Sequence, residues 1–218
     1  ITPYYATSAI SGDRIAILAP HPDDEVFGCG GAACKWSQQG NVVQAFVLTS
    51  GVLRHEFPEG PCSQQKRDEK EALRRQASRA AAVLLGLNEP EFLSAQDGEL
   101  WQDTHIEADL LCQLEAFQPT TLVMPSIWEM HRDHRATAEL GLRLAEQLSS
   151  LQQVSFYEIG VPLMPNVLED ISVQQGLKWQ AMQCFESQLI EQNYATQIAG
   201  LNQYRAYTLG KTITHAEA

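Results

Sequence analysis

Residues 14–25 read Arg-Ile-Ala-Ile-Leu-Ala-Pro-His-Pro-Asp-Asp-Glu, an apolar run followed by two prolines, a histidine and three acidic side chains. The run 14–19 has the length and composition of a buried β-strand. Pro20 and Pro22 cannot extend a hydrogen-bonded ladder, so the strand is expected to end there. In open α/β sheets, ligands bind beyond the carboxyl ends of the strands, so this polar turn is a candidate functional segment.

The rest of the chain alternates strand-like and helix-like segments. Further strands are predicted at 42–49, 121–125 and 154–158, with a weaker one at 92–93, and helices at 26–39, 66–86, 104–117, 135–149 and most of 173–205. This alternation predicts an α/β fold, a Rossmann-like and mostly parallel central sheet with helices on both faces. No repeat or composition break divides the chain, so one domain is expected over residues 1–218. Residues 1–13 are expected to form an irregular lead-in and residues 51–65 a long loop.

The chain is acidic, with 27 Asp and Glu against 15 Lys and Arg and a formal net charge of -12. Such a surface repels phosphate backbones and anionic lipid heads, which makes nucleic acid a poor partner. No apolar run approaches the roughly 20 residues that cross a bilayer, so no integral membrane segment is expected. The five cysteines are scattered and form no C-x-x-C pair, which favours free thiols and a cytoplasmic location. The oligomeric state cannot be read from these features.

Two segments concentrate metal-binding and acid–base side chains, and each follows a predicted strand. They are His21-Pro22-Asp23-Asp24-Glu25 and His131-Arg132-Asp133-His134. Either segment alone is more often a solvated turn. Together they bring imidazoles and carboxylates to one edge of the sheet, where packed carboxylates repel unless a cation compensates them. The sequence therefore predicts a cation site.

The expected cation is zinc. Two imidazoles and one carboxylate, with a fourth position open to water, form a recurring catalytic zinc set. Magnesium and calcium sites are richer in oxygen ligands. Iron(II) binds similar sets and stays an alternative. Because zinc lowers the pKa of a bound water to about 7, the site suits attack of water on a carbonyl.

The first segment suggests a base next to the metal. A turn that points His21 and Asp24 inward leaves Asp23 beside the metal-bound water, where its carboxylate can take up a proton. From the other segment, His134 can complete the metal set.

His131 lies about one helical turn before His134 and can face the same pocket. A protonated imidazole there can stabilise a developing oxyanion and then protonate the leaving amine. Asp133 is expected to hold His131 in the required tautomer. These residues alone do not decide which of the two histidines binds the metal.

At both segments the chain resembles the PIG-L/LmbE-like family of N-acetylglucosaminyl de-N-acetylases. Residues 19–25 resemble the metal-and-base signature of that family, and residues 131–134 resemble its second signature. Three weaker similarities lie elsewhere in the chain. Arg74 and the following residues 81–86 resemble the arginine helix of the family, and Asp97-Gly98 resembles a segment that meets the substrate sugar. The closing helices and tail of the family are resembled by residues 187–189, 204–206 and 215–218.

The resemblance implies a zinc-dependent hydrolase that removes the acetyl group from an N-acetylglucosamine-type conjugate, a small-molecule amino sugar. The implied roles are metal ligation by His21, Asp24 and His134, general-base catalysis by Asp23, acid catalysis by His131 with support from Asp133, and substrate contact by Arg74 and Asp97. Two alternatives remain. One is a metal-dependent amidase acting on another amide conjugate, and the other is a metal-binding domain without turnover.

Overall fold

The computed structural model describes residues 10–57, 59–60 and 63–218, so most of the predicted lead-in lies outside the described residues. The central strands are β1 (Arg14–Ala19), β2 (Val42–Leu53), β3 (Glu91–Asp97), β4 (Thr121–Pro125) and β5 (Gln153–Tyr157). Within the described ranges they form one five-stranded parallel sheet in the order β3-β2-β1-β4-β5.

Strand β1 lies at the centre of the sheet, which explains its unbroken apolar sequence. Ile17 pairs with Ala45 of β2 on one side and with Val123 of β4 on the other. Ile15 and Ile17 enter one hydrophobic cluster, whereas the alternate residues of the strand enter a second cluster on the opposite face. A strand covered on both faces needs apolar residues at every position.

Helices cover both faces of the sheet. They are α1 (Asp24–Gln38), α2 (Ser63–Leu85), α3 (Ile106–Phe117), α4 (Arg132–Ala145), α5 (Gln175–Gln183), α6 (Glu186–Glu191) and α7 (Tyr194–Arg205). Helix α1 packs Ala33 and Trp36 on one face, and α3 and α4 pack Leu114 and Leu144 on the other. The predicted α/β fold with helices on both faces is confirmed. None of the helices in the described ranges combines the length and apolar character needed to cross a membrane.

One predicted boundary was wrong. Strand β2 continues to Leu53, four residues beyond its predicted end, and it stays paired with β3 through a register shift between Thr49 and Leu53, where Gly51 has a φ of 66°. The expected long loop at 51–65 is correspondingly shorter. The prediction that most of 173–205 is helical is confirmed. The stretch consists of three helices, and the extended backbone of Gln192 separates α6 from α7.

Helix α1 is kinked at Cys29, whose φ and ψ are -135° and 23°. The backbone N–H groups of Gly31 and Ala32 donate to the carboxylate of Glu217, at 2.9 and 2.6 Å. The Lys178 ammonium lies 2.5 Å from the same carboxylate, and the pair is buried. Glu217 belongs to a short ribbon of β6 (Glu169–Asp170) and β7 (Ala216–Glu217). The end of the described chain thus caps a break inside its first helix.

Candidate active site and metal centre

The two predicted segments meet at the carboxyl edge of the sheet. Chain order reverses between β1 and β4, the position at which open α/β sheets bind ligands. A cavity of about 800 Å³ opens there. Its lining includes seven of the eight predicted site residues: His21, Asp23, Asp24, Arg74, Asp97, His131 and His134. The eighth, Asp133, is fully buried next to it.

Asp24 lies between two buried imidazoles. Its Oδ2 atom is 3.0 Å from Nδ1 of His21 and 3.3 Å from Nε2 of His134. Ligand atoms bound to one tetrahedral zinc at about 2.0–2.1 Å lie about 3.3 Å apart, so both contacts have the length of a coordination edge. The structure therefore brings together the three residues that the sequence predicted as ligands.

His21 is also close to other donors that can hold a metal. The possible ligand atoms of His21, His131 and His134 lie within 4.8 Å of one another, and so do those of His21, Asp97 and Asp133. His21 is common to all of these sets, which makes it the central metal-binding candidate. The ligand set of His21, Asp24 and His134 stays a prediction.

The charges around these imidazoles favour a bound cation. Burial lowers the pKa of His134, but Asp24 and Glu129 outweigh that effect and raise it to about 9. Burial would likewise lower the pKa of His21, but hydrogen bonds to Asp133, Asp24 and Asp97 raise it well above its usual range. The carboxylates thus draw positive charge onto the imidazoles. A divalent cation fits this donor set because it supplies that charge directly.

Glu129 supports His134 from behind and was missed by the sequence analysis. It is 2% exposed, and its carboxylate accepts hydrogen bonds from the N–H groups of Ile159, Gly160 and Val161. Its Oε2 atom lies 3.6 Å from Nδ1 of His134. Carboxylates behind metal-binding imidazoles commonly orient the ring and raise its basicity. The available signal was a glutamate two residues before His131.

Asp23 has a strained backbone, with φ 146° and ψ -31°. Such a conformation costs a non-glycine residue about 1–3 kcal/mol and is common at functional sites. Its N–H donates to Glu25, which also accepts from Ser78, and its carboxylate accepts from Arg74 at 2.9 Å. Burial raises the pKa of Asp23 to about 6, although Arg74 opposes the rise. Asp23 is therefore held as a carboxylate that can gain a proton near neutral pH.

Arg74 of α2 lies behind Asp23. It is buried and also donates to the carbonyl oxygen of Gly51. A Cβ atom at Gly51 would lie 2.5 Å from this guanidinium, so the close approach requires glycine. The geometry shows Arg74 positioning Asp23, and its predicted contact with substrate stays a prediction. A contact between Asp97 and the substrate also stays a prediction. In the structure, Oδ1 of Asp97 lies 3.1 Å from Nε2 of His21.

His131 is exposed at the cavity and precedes α4, where its Nδ1 accepts from the backbone N–H of Asp133 at 3.2 Å. This bond leaves Nε2 to carry the proton of the neutral ring. The Asp133 carboxylate points elsewhere. It accepts from the N–H of Gly98 at 2.6 Å and lies 3.4 Å from Nε2 of His21. Asp133 therefore contacts His131 through its backbone, whereas a carboxylate contact was expected.

Comparison with known proteins identifies a family model and two relatives that are each named as deacetylases. The family model for PIG-L, described as GlcNAc-PI de-N-acetylase, matches residues 16–145. Diacetylchitobiose deacetylase of Thermococcus kodakarensis is 27% identical over 198 residues, covering 82% of this chain and 71% of that protein. A Bacillus anthracis protein named "Probable N-acetyl-alpha-D-glucosaminyl L-malate deacetylase 2" is 25% identical over 215 residues, covering 92% and 89%.

A solved structure shows the same fold. The N,N'-diacetylchitobiose deacetylase from Pyrococcus horikoshii, in complex with an inhibitor, has a TM-score of 0.81 to this chain. The alignment covers 95% of this chain and 83% of that one, at 24% identity. The structural comparison therefore shows the fold of this chain.

Proposed function

The chain belongs to the PIG-L family of GlcNAc-PI de-N-acetylases, and from that membership we propose that it is a zinc-dependent hydrolase that removes the acetyl group from an N-acetylglucosamine-type conjugate. The observation that carries the proposal is the Asp24 carboxylate between the imidazoles of His21 and His134, with Asp23 as the next residue in the chain. A metal site beside a positioned carboxylate is the arrangement that metal-assisted amide hydrolysis requires.

His21, Asp24 and His134 would hold the metal, with zinc as the proposed ion and iron(II) as the alternative. Zinc bound there supplies a more acidic water and polarises a carbonyl oxygen. The Glu129 carboxylate behind His134 would fix that ring, and Asp133 and Asp97 would fix His21.

Asp23 is proposed to take the proton of the attacking water. Its carboxylate is held by Arg74 and by the strained turn, so little reorganisation is needed when the proton moves. His131 is proposed to act from the cavity mouth. Its Nε2–H can donate to the carbonyl oxygen as negative charge develops. In its doubly protonated form, the ring can pass the Nε2 proton to the leaving amine and return to the neutral form.

The test is release of free amine from a panel of N-acetylated sugars, peptides and other amides. Metal-depleted protein should be inactive and should regain activity with zinc. The Asp23→Asn variant should keep its zinc while losing about 10²–10⁴-fold in turnover, the usual size of a general-base contribution. The Asp24→Asn variant should lose zinc, and Asp109→Asn, at an exposed position on α3, should change neither property.

Two results would contradict the proposal. Loss of zinc from Asp23→Asn would make Asp23 a ligand and would overturn the assigned roles. Hydrolysis of other amides without amine release from any N-acetyl sugar would replace the deacetylase with an amidase that uses the same residues.

A further inference from the structure

The cavity extends well beyond the metal centre. Its volume of about 800 Å³ lies in the range of roughly 300–1,000 Å³ for pockets that enclose drug-sized ligands. An acetamido sugar at the metal centre would leave space on the side of α6 and α7. That space can hold the group to which the sugar is attached.

We infer that this attached group is uncharged, so that the substrate is a neutral N-acetylglucosamine glycan whose next sugar ring packs against α7. The inference rests on the proposed function and names the substrate class of the same site. It is carried by the composition of the cavity wall and by the distribution of charge around it.

Much of the cavity wall outside the predicted site residues is apolar. This part includes Phe27, Ile159, Pro162, Tyr194, Ile198 and Leu201. The Tyr194 side chain is partly exposed, and its ring packs edge-on to Phe27 with the centroids 6.2 Å apart. Aromatic rings of this kind offer an apolar surface to the C–H face of a sugar ring. Polar contacts come from Gln188 and Gln197, whose amides can pair with hydroxyl groups without carrying charge.

The wall offers no available positive charge. Among the described residues that line the cavity, the only lysine or arginine is Arg74, which is buried and bonded to Asp23 and Gly51. The nearby Lys70 does not line the cavity and is paired with Glu56.

Negative charge, in contrast, is abundant. Asp23, Asp24, Asp97 and Glu129 all line the cavity. Arg74 compensates Asp23, and a divalent cation would offset two of the three remaining carboxylates. A carboxylate or phosphate on the substrate would therefore face an excess of like charge, with no free lysine or arginine among the described lining residues to pair with it.

The two relatives compared by sequence are named for substrates that differ in charge. Diacetylchitobiose is neutral, whereas the L-malate conjugate is anionic. The charge distribution in this cavity favours the first kind of substrate. A neutral glycan also makes use of the apolar wall, because its ring face can cover Tyr194 while its hydroxyls reach the two glutamines.

The experiment compares kcat/KM for diacetylchitobiose and for N-acetylglucosaminyl L-malate at low ionic strength. The zinc-loaded wild-type protein should prefer the neutral substrate. The Gln197→Arg variant adds a cation to the wall and removes an amide that can pair with the glycan, so it should raise the ratio of kcat/KM for the malate conjugate to kcat/KM for diacetylchitobiose by at least roughly two- to fivefold, the effect expected for one exposed ion pair. Gln203→Arg adds the same charge to an exposed position of α7 outside the cavity and should alter neither value.

Tyr194→Ala tests the apolar wall separately. It should raise KM for diacetylchitobiose by a larger factor than KM for N-acetylglucosamine, because the inference places the second sugar ring, which N-acetylglucosamine lacks, against Tyr194. Equal or faster turnover of the malate conjugate by the wild-type protein would overturn the inference and leave the deacetylase function intact. If neither compound releases acetate, the panel of N-acetyl sugars decides the proposed function, and calorimetric binding of the same two compounds decides the inference: tighter binding of the malate conjugate would overturn it.

Discussion

Replacing Glu217 by alanine is predicted to destabilise the protein strongly, although Glu217 is not one of the predicted site residues. The Glu217 carboxylate accepts from the N–H groups of Gly31 and Ala32 and pairs with Lys178. The substitution would leave the Lys178 ammonium buried with the Phe27 carbonyl and Asn202 as its remaining partners.

The magnitude follows from these contacts. Removing one partner of a buried ion pair costs about 3–5 kcal/mol, because the other charge stays buried. Two backbone N–H groups would also lose their acceptor, at about 1–3 kcal/mol for each buried unsatisfied group, and the two effects overlap. The two remaining oxygen partners of Lys178 reduce the cost. A loss of about 3–5 kcal/mol in the free energy of unfolding is therefore expected for Glu217→Ala.

Urea denaturation followed by circular dichroism measures this loss, with Glu139→Ala on an exposed position of α4 as the control. The control should stay within about 0.5 kcal/mol of the wild type. The double variant Glu217→Ala with Lys178→Met should recover a substantial part of the loss, because no charge is left buried. An unchanged m value with a loss below about 1 kcal/mol for Glu217→Ala would refute the reasoning, as would a double variant no more stable than the single one.

Three further outcomes are expected. Glu129→Gln should weaken zinc binding about 10–100-fold in a chelator competition without changing the circular dichroism spectrum, and unchanged affinity would remove Glu129 from the metal centre. Gly51→Ala should lower both deacetylation and the melting temperature, because a Cβ atom would clash with Arg74 at a backbone φ of 66°; an active variant would show that this contact is dispensable. A thiol reagent at pH 8 should modify the exposed Cys112 quickly and Cys29 only on unfolding, since burial raises the pKa of the Cys29 thiol; rapid reaction of both in folded protein would contradict this.

The parts of the site that could be predicted are those formed by residues that lie close together in the sequence. His21 and Asp24 lie three residues apart in a turn that follows a buried strand, so their spacing and their place at the sheet edge are both visible. The fold class was predictable for a similar reason, because short apolar runs such as 15–19 and 121–125 alternate with helix-like segments along the chain.

The parts that could not be predicted depend on contacts between distant segments. Arg74 reaches Asp23 across 51 residues, and Asp133 of α4 reaches Gly98 across 35 residues. Glu129 was missed because its acceptor role depends on backbone N–H groups 30 residues later in the chain. A charged residue in a loop has the same local sequence whether it is solvated or buried, and only tertiary structure separates the two.

The cap on the kinked first helix also has a consequence for the order in which the protein is made. Gly31 and Glu217 are separated by 186 residues, so the ribosome must add nearly the whole described chain before the acceptor exists. At roughly 5–20 residues per second, that delay is about 10–40 s. During this time the N–H groups of Gly31 and Ala32, next to the break in α1, lack the acceptor that they have in the folded protein. Helix α1 is therefore made early, but its break is capped only after residue 217 has been added.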